Sequence, residues 1–139
     1  MDFLIDSNVL LDVLQIRQPH YKDSYFIWIL CEKKYATGYV SALTFANIVY
    51  IMRKEVQYDE VDQLLQKLSR AFTITDLKLS DIAVASTMKW KDFEDAIQAA
   101  TAERIKADFI ITRNIKDFDF NDSKVKAITP EEFIVKLNL

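Results

Sequence analysis

Phe3-Leu4-Ile5-Asp6-Ser7-Asn8-Val9-Leu10-Leu11-Asp12-Val13-Leu14 is the stretch whose reading decides the fold class. Phe3, Leu4 and Ile5 form a short unbroken apolar run, the mark of a strand buried on both faces. The run stops at Asp6. Beyond it Val9, Leu10, Val13 and Leu14 recur at helical spacing, and Asp6 or Ser7 is a residue type suited to cap that helix. A buried strand that passes directly into a helix is the opening of a parallel βα unit.

The rest of the chain repeats the alternation. A helix is expected over Tyr21 to Lys34, with Gly38 after Lys33 and Lys34 as its stop, then a strand over Tyr39 to Ala42. Helices follow over Thr44 to Lys54 and Tyr58 to Arg70, the second with Val61, Leu64, Leu65 and Leu68 on one face. Phe72 to Ile74 reads as a third strand, and Asp81 to Met88 as a helix. Asp92 to Lys106 is an alanine-rich helix, small enough on one side to lie close on a sheet. Phe109-Ile110-Ile111-Thr112 is the clearest buried strand, and Lys126 to Thr129 a fifth before a closing helix from Pro130. Together these predict a three-layer α/β/α domain with a mostly parallel sheet of about five strands.

Composition agrees with one compact unit. The 139 residues are half apolar, with one glycine, two prolines and no low-complexity stretch, so a single domain over 1–139 is expected. The N-terminal stretch carries three Asp and no basic region, unlike a signal peptide. The longest apolar run, Phe26 to Cys31, is far short of the roughly 20 residues that span a bilayer. Cys31 has no partner for an internal disulfide, which suits a reducing cytoplasm. A formal charge of −3 argues against nucleic-acid binding by broad electrostatics, leaving room only for a basic rim around an acidic centre.

Acids and amides gather where the strands end. Asp6 closes strand one; Asp92, Glu94 and Asp95 open the helix before strand four; Arg113, Asn114, Lys116 and Asp117 follow that strand. In parallel sheets ligands sit beyond the carboxyl ends of the strands. Carboxylates crowded there repel unless a cation compensates, and the hard oxygen-seeking ions Mg²⁺ and Mn²⁺ are the usual occupants. Helix capping explains Asp92 to Asp95 and Asn114 to Asp117 equally well. Spacing alone leaves both readings open.

Leu4-Ile-Asp-Ser-Asn-Val-Leu-Leu-Asp12, Asp92-Phe-Glu-Asp-Ala-Ile-Gln-Ala-Ala100 and Phe109-Ile-Ile-Thr-Arg-Asn-Ile-Lys-Asp-Phe118 together resemble the signatures of PIN domains, in their VapC-like toxin branch. The resemblance implies a Mg²⁺- or Mn²⁺-dependent ribonuclease with Asp6 and Asp95 as metal-binding catalytic acids. A further acid is common where Asn114 stands, and Asp117, one turn on, is its expected substitute. A glutamate is common where this chain has Asn47. Asn47, Glu94, Asn114, Asp92, Ser7 and Asn8 are then expected as supporting residues or weak ligands, and Arg113 and Lys116 as phosphate contacts. Asp12 reads as a solvated helix residue, and the alternative for Arg113 is to neutralise the neighbouring acids. The implied setting is the toxin half of a toxin–antitoxin pair, a homodimer silenced by an antitoxin protein. Excess apolar surface from Tyr25 to Trp28 and along Thr44 to Met52 would serve those contacts.

Other chemistries lack their residues. His20 is the one histidine, a poor basis for metal-free acid–base cleavage or for a hydrolase triad. One Cys and one His cannot make a zinc site, and one glycine cannot build a P-loop or a dinucleotide fingerprint. Asp6-Ser7-Asn8 lacks the second acid of an Asp-x-Asp phosphatase. The alternatives kept are a catalytically weakened RNA- or protein-binding module of the same fold, which Asn47 favours, and a nuclease acting on DNA.

Overall fold

The computed structural model describes residues 1–118 and 123–137. Its strands are β1 (Asp2–Ile5), β2 (Thr37–Ser41), β3 (Phe72–Thr75), β4 (Phe109–Ile111) and β5 (Lys126–Ile128). Its helices are α1 (Ser7–Leu14), α2 (Tyr21–Glu32), α3 (Ala42–Ile51), α4 (Val61–Ala71), α5 (Leu79–Met88), α6 (Phe93–Arg104) and α7 (Pro130–Leu137). One 3₁₀ turn precedes α4, and another, Ile115–Phe118, follows β4. The strands lie in the order β3-β2-β1-β4-β5, and all four pairings are parallel.

Alternation along each strand distributes the core to two layers. Phe3 and Ile5 of β1 pack with Val9, Ile27, Trp28, Leu68 and Phe133 on one face. Leu4 points the other way, against Ala99, Ala102 and Ile110. Phe3 meets Phe133 edge-on at 4.9 Å, and Trp28 meets Phe72 likewise at 4.9 Å. Contacts of this geometry contribute about 1 kcal/mol each beyond their area. The alanines of α6 let that helix lie close on β1 and β4, as their size suggests.

An ion pair locks α6 laterally. Arg104 donates from Nε to Asp81 Oδ1 at 2.7 Å and from Nη2 to Asp81 Oδ2 at 2.9 Å, and also reaches the Asp76 carbonyl. Burial alone would raise the proton affinity of Asp81, but the Arg104 hydrogen bonds and charge outweigh it and hold the carboxyl below its usual range. The helix that carries Asp95 is thereby pinned to α5.

Two local expectations are corrected. Gly38 does not stop α2. It lies inside β2, where a Cβ would come within 2.7 Å of both Cys31 Sγ and Phe72 Cδ1, so its missing side chain serves close packing. The stop is made by Lys34, in the left-handed region at φ 66°. The helix expected from Thr44 begins at Ala42, because Ser41 caps it by accepting the Thr44 amide.

Candidate carboxylate site

The sheet order reverses between β1 and β4, and both strands end there in polar residues. Asp6 donates its backbone N–H to the Ile111 carbonyl at 2.9 Å, stitching the two strand ends together. Its carboxylate caps α1, with Oδ1 accepting from the Ser7 amide at 2.8 Å. Oδ2 accepts from Thr112 Oγ1 at 2.8 Å and from Asn8 Nδ2 at 3.3 Å. Asn8 also donates to Thr112 Oγ1, and its own carbonyl accepts the Arg113 amide. Thr112 Oγ1 accepts the Asn114 amide in turn, at 3.0 Å. Ser7, Asn8 and Asn114 thus all enter the network around Asp6. Thr112, fully buried, is its centre. The sequence marks it only as the end of a strand, and its one signal is a hydroxyl directly after an apolar run.

The N-terminus of α6 faces the same end of the sheet. Asp92 is its N-cap and accepts the Asp95 amide at 3.1 Å, so the capping interpretation holds for that residue. Asp95 itself is half-buried and Glu94 exposed. Asn47, on α3, donates its Nδ2 to Glu94 Oε1. One turn deeper, Gln98 Nε2 donates to Thr44 Oγ1 at 2.8 Å. Thr44 and Asn47 on α3 thus meet Gln98 and Glu94 on α6 as two rungs of one polar ladder. Asn47 is engaged by a carboxylate at the place where an acid was expected.

Charge interactions join these elements. Burial, then Asp92, Asp6, Asp117 and Glu94 in that order, push the Asp95 carboxyl up to about 7. Burial, Asp92 and Asp6 raise Glu94, against the lowering effect of Asn47. Asp6 is raised by burial and by Asp117, with the Thr112 and Ser7 hydrogen bonds opposing. Mutual repulsion of this kind is the condition that a divalent ion relieves. All donors are oxygen, the chemistry of a hard cation. Among the described residues, however, no three Asp, Glu, His or Cys side chains are gathered closely enough to hold an ion as they stand.

Two expectations change. Asp12 is not solvated: it is fully buried, accepting from Ser24 Oγ at 2.9 Å and Arg113 Nε at 2.8 Å. Helical phase turned it inward, and a buried carboxylate needs a cationic partner. The Nε edge of Arg113 is therefore committed to Asp12, the neutralising role rather than a free phosphate fork. Lys116, Asn114 and Asp117 are exposed in and before the 3₁₀ turn after β4. An open cavity of about 560 Å³ lies beside them, lined by Trp90, Lys91, Asp92, Phe93, Asp95, Lys116 and Asp117.

A family model described as a PIN domain matches residues 2–116. Among solved structures, a toxin–antitoxin complex from Klebsiella pneumoniae matches with a TM-score of 0.68 at 23% identity, covering 91% of this chain and 96% of that one. VapBC2 from Rickettsia felis, bound to a promoter DNA fragment, matches with a TM-score of 0.67 at 16% identity, over 93% and 98% of the two chains. PAE2754 from Pyrobaculum aerophilum matches with a TM-score of 0.63 at 19% identity, over 99% and 90%. None of the curated proteins matches.

Proposed function

The chain belongs to the PIN-domain family, and from that premise we propose that it is a Mg²⁺- or Mn²⁺-dependent endoribonuclease, the toxin of a toxin–antitoxin pair. The observation that carries this reading is the meeting of Asp6, Glu94 and Asp95 at the switch point of the sheet, where burial first and then neighbouring carboxylates raise all three: Asp117 acts on Asp6, Asp92 and Asp6 on Glu94, and Asp92, Asp6, Asp117 and Glu94 on Asp95. Asp6, Asp95 and Asp117 would hold the ion, which when bound supplies electrophilic charge for attack on a phosphodiester.

The protein's own groups prepare that centre. Thr112, Ser7 and Asn8 aim the Asp6 carboxylate by hydrogen bonds, and Asp92 fixes the first turn of the helix bearing Asp95. Asn47 holds Glu94 beside the site. Lys116 stands exposed at its rim as a phosphate contact, with Arg113 anchored beside it on Asp12.

The setting follows the similar structures, two of which are a toxin–antitoxin complex and a VapBC assembly. In this reading the domain spans 1–139, works in the cytoplasm, and is bound by an antitoxin protein. Among the described residues no helix is long and apolar enough to cross a membrane. Tyr25 and Phe26 on α2, and Tyr50 and Ile51 on α3, stay exposed while Ile27 and Trp28 are buried. Those four residues offer apolar surface for a homodimer or antitoxin contact, and a monomer at every concentration in sedimentation would remove the dimer.

The test is cleavage of a mixed RNA pool with Mg²⁺ or Mn²⁺, comparing wild type with Asp6→Asn and Asp95→Asn. Cleavage that requires the metal and vanishes in both folded variants supports the nuclease. A second reading, a non-catalytic binding module, is favoured by Asn47 and by the lack, among the described residues, of a preassembled ligand cluster. RNA or partner binding indifferent to metal and to Asp6→Asn would establish it instead.

A further inference from the structure

The segment that leaves β4 is held by side chains. Thr112, Arg113 and Asn114 lie in neither helix nor strand, between β4 and the 3₁₀ turn that bears Asp117. The Arg113 amide donates to Asn8 Oδ1 at 3.1 Å, and the Asn114 amide to Thr112 Oγ1 at 3.0 Å. The Asp117 amide then donates to the Asn114 carbonyl at 3.0 Å. The course of the chain from β4 to Asp117 therefore depends on where Asn8 and Thr112 are fixed.

Asn8 and Asp12 stand one turn apart on α1 and share one of its faces. Both take hold of Arg113. Asn8 accepts its backbone N–H, while Asp12 Oδ2 accepts its Nε at 2.8 Å and also Ser24 Oγ at 2.9 Å from α2. The first grip orients the Asn8 amide. With its oxygen toward the Arg113 N–H, its Nδ2 faces Asp6 Oδ2 at 3.3 Å and Thr112 Oγ1 at 3.2 Å. Turned over, the amide would set its oxygen against the Asp6 carboxylate and its NH₂ against the Arg113 N–H. The second grip keeps Arg113 where the first can be made.

As a source of stability the pair is poorly built. Among the described residues the fully buried Asp12 has no hydrogen bond to Oδ1, and Arg113 meets Oδ2 from Nε alone. Desolvation of a carboxylate is offset only when the geometry is good and both oxygens are satisfied. What the pair supplies is a fixed place for Arg113.

We infer that Asn8 and Asp12 form a two-point clamp on Arg113, and that Asp12 is thereby a positioning residue for the carboxylate site. It sets the direction of the Asp6 carboxylate and the exit of the segment bearing Asp117. Its role in cleavage rests on the nuclease reading, whereas the clamp itself is measurable without ion or RNA.

Asp12→Leu removes the acceptor and leaves Arg113, a quarter exposed, free to turn to solvent. In metal-free protein, amide hydrogen exchange at Arg113 and Asn114 should then quicken about tenfold. The Asp6 and Thr112 amides, bonded to the Ile111 and Ile128 carbonyls, should keep wild-type rates. Mn²⁺ affinity by calorimetry should fall about tenfold, the scale on which lost orienting partners act. In RNA cleavage the loss should lie in kcat, with KM little changed. Asp12→Asn keeps an oxygen for Nε and should restore most of each. Thermal melts check folding, and if Asp12→Leu does not fold, Asp12→Leu with Arg113→Met repeats the exchange and Mn²⁺ measurements without a stranded charge. Wild-type exchange at both amides, or wild-type Mn²⁺ affinity, in the folded variant would overturn the clamp, as would a loss confined to KM. If the wild type cleaves no RNA, the nuclease reading falls, while the exchange and Mn²⁺ results still uphold or overturn the clamp.

Discussion

Thr112 donates its hydroxyl to Asp6 Oδ2 at 2.8 Å from the neighbouring strand end. The contact joins the ends of β1 and β4, the two parallel strands between which the strand order reverses. A side chain from one strand thereby sets the orientation of the acid on the other. Thr112→Val keeps the shape and removes the donor. Cleavage should fall about tenfold or more, as for other lost partners of metal-binding groups, with a stability cost of about 1–2 kcal/mol. Thr112→Ser should restore most of the rate. Equal cleavage by the Val and Ser variants would show that the hydroxyl does not act through Asp6.

Arg113 and Asp12 form a pair in which the acid is fully buried and the arginine a quarter exposed. Arg113→Met leaves Asp12 with Ser24 as its remaining hydrogen-bond partner and should cost about 3 kcal/mol or more in denaturant unfolding. Adding Asp12→Leu should recover part of that loss, because the stranded charge is gone. A purely phosphate-binding Arg113 would instead change RNA affinity and leave stability untouched.

The raised Asp95 carboxyl gives a pH dependence of definite sign. Its folded-state value of about 7 exceeds the unfolded one of about 3.9, so the folded state binds the extra proton between them. The stabilisation is complete below the unfolded value and is lost as the pH climbs through about 7. Glu94 and Asp6 are shifted in the same direction. The melting temperature of metal-free protein should therefore decline on going from mildly acidic to neutral solution. Asp95→Asn should flatten the decline, and Mn²⁺ should cancel it near neutrality. A flat profile in the wild type would contradict the shared charge.

Asn47 and Glu94 offer a charge exchange. Asn47→Glu sets two carboxylates against each other and should destabilise metal-free protein by about 1 kcal/mol. In Mn²⁺ the same variant should bind the ion about tenfold more tightly by calorimetry, since one more oxygen anion faces it. Asn47→Glu with Glu94→Gln should restore metal-free stability to within about 0.5 kcal/mol by reversing the hydrogen bond. Weaker Mn²⁺ binding in the single variant would mean that position 47 lies outside the ion's reach.

Backbone strain supplies a prediction independent of function. Ile16, 62% exposed, sits at φ 50°, a conformation that penalises β-branched residues. Ile16→Gly should stabilise by about 1 kcal/mol. Gly38→Ala should cost about 2 kcal/mol by overpacking against Cys31 and Phe72. The opposite signs expected for these two changes are readily checked by urea unfolding.

Strand and helix order was legible from residue order because burial on both faces of a parallel strand demands runs such as Phe3 to Ile5 and Phe109 to Ile111. So were the positions of Asp6 at the end of β1 and of Asp95 in the first turn of α6, since both helix starts are marked by capping residues. What the chain alone left open were relations between segments distant in sequence. Thr112 meets Asp6 across 106 residues, and Asn47 meets Glu94 across 47. Arg113 finds Asp12 across 101, which turned an expected surface acid into a buried one. Periodicity describes one element at a time, whereas a carboxylate's surroundings are set by packing between elements. That packing turned Asp12 onto Arg113, put Glu94 beside Asn47, and set Phe93 and Trp90 next to the acids.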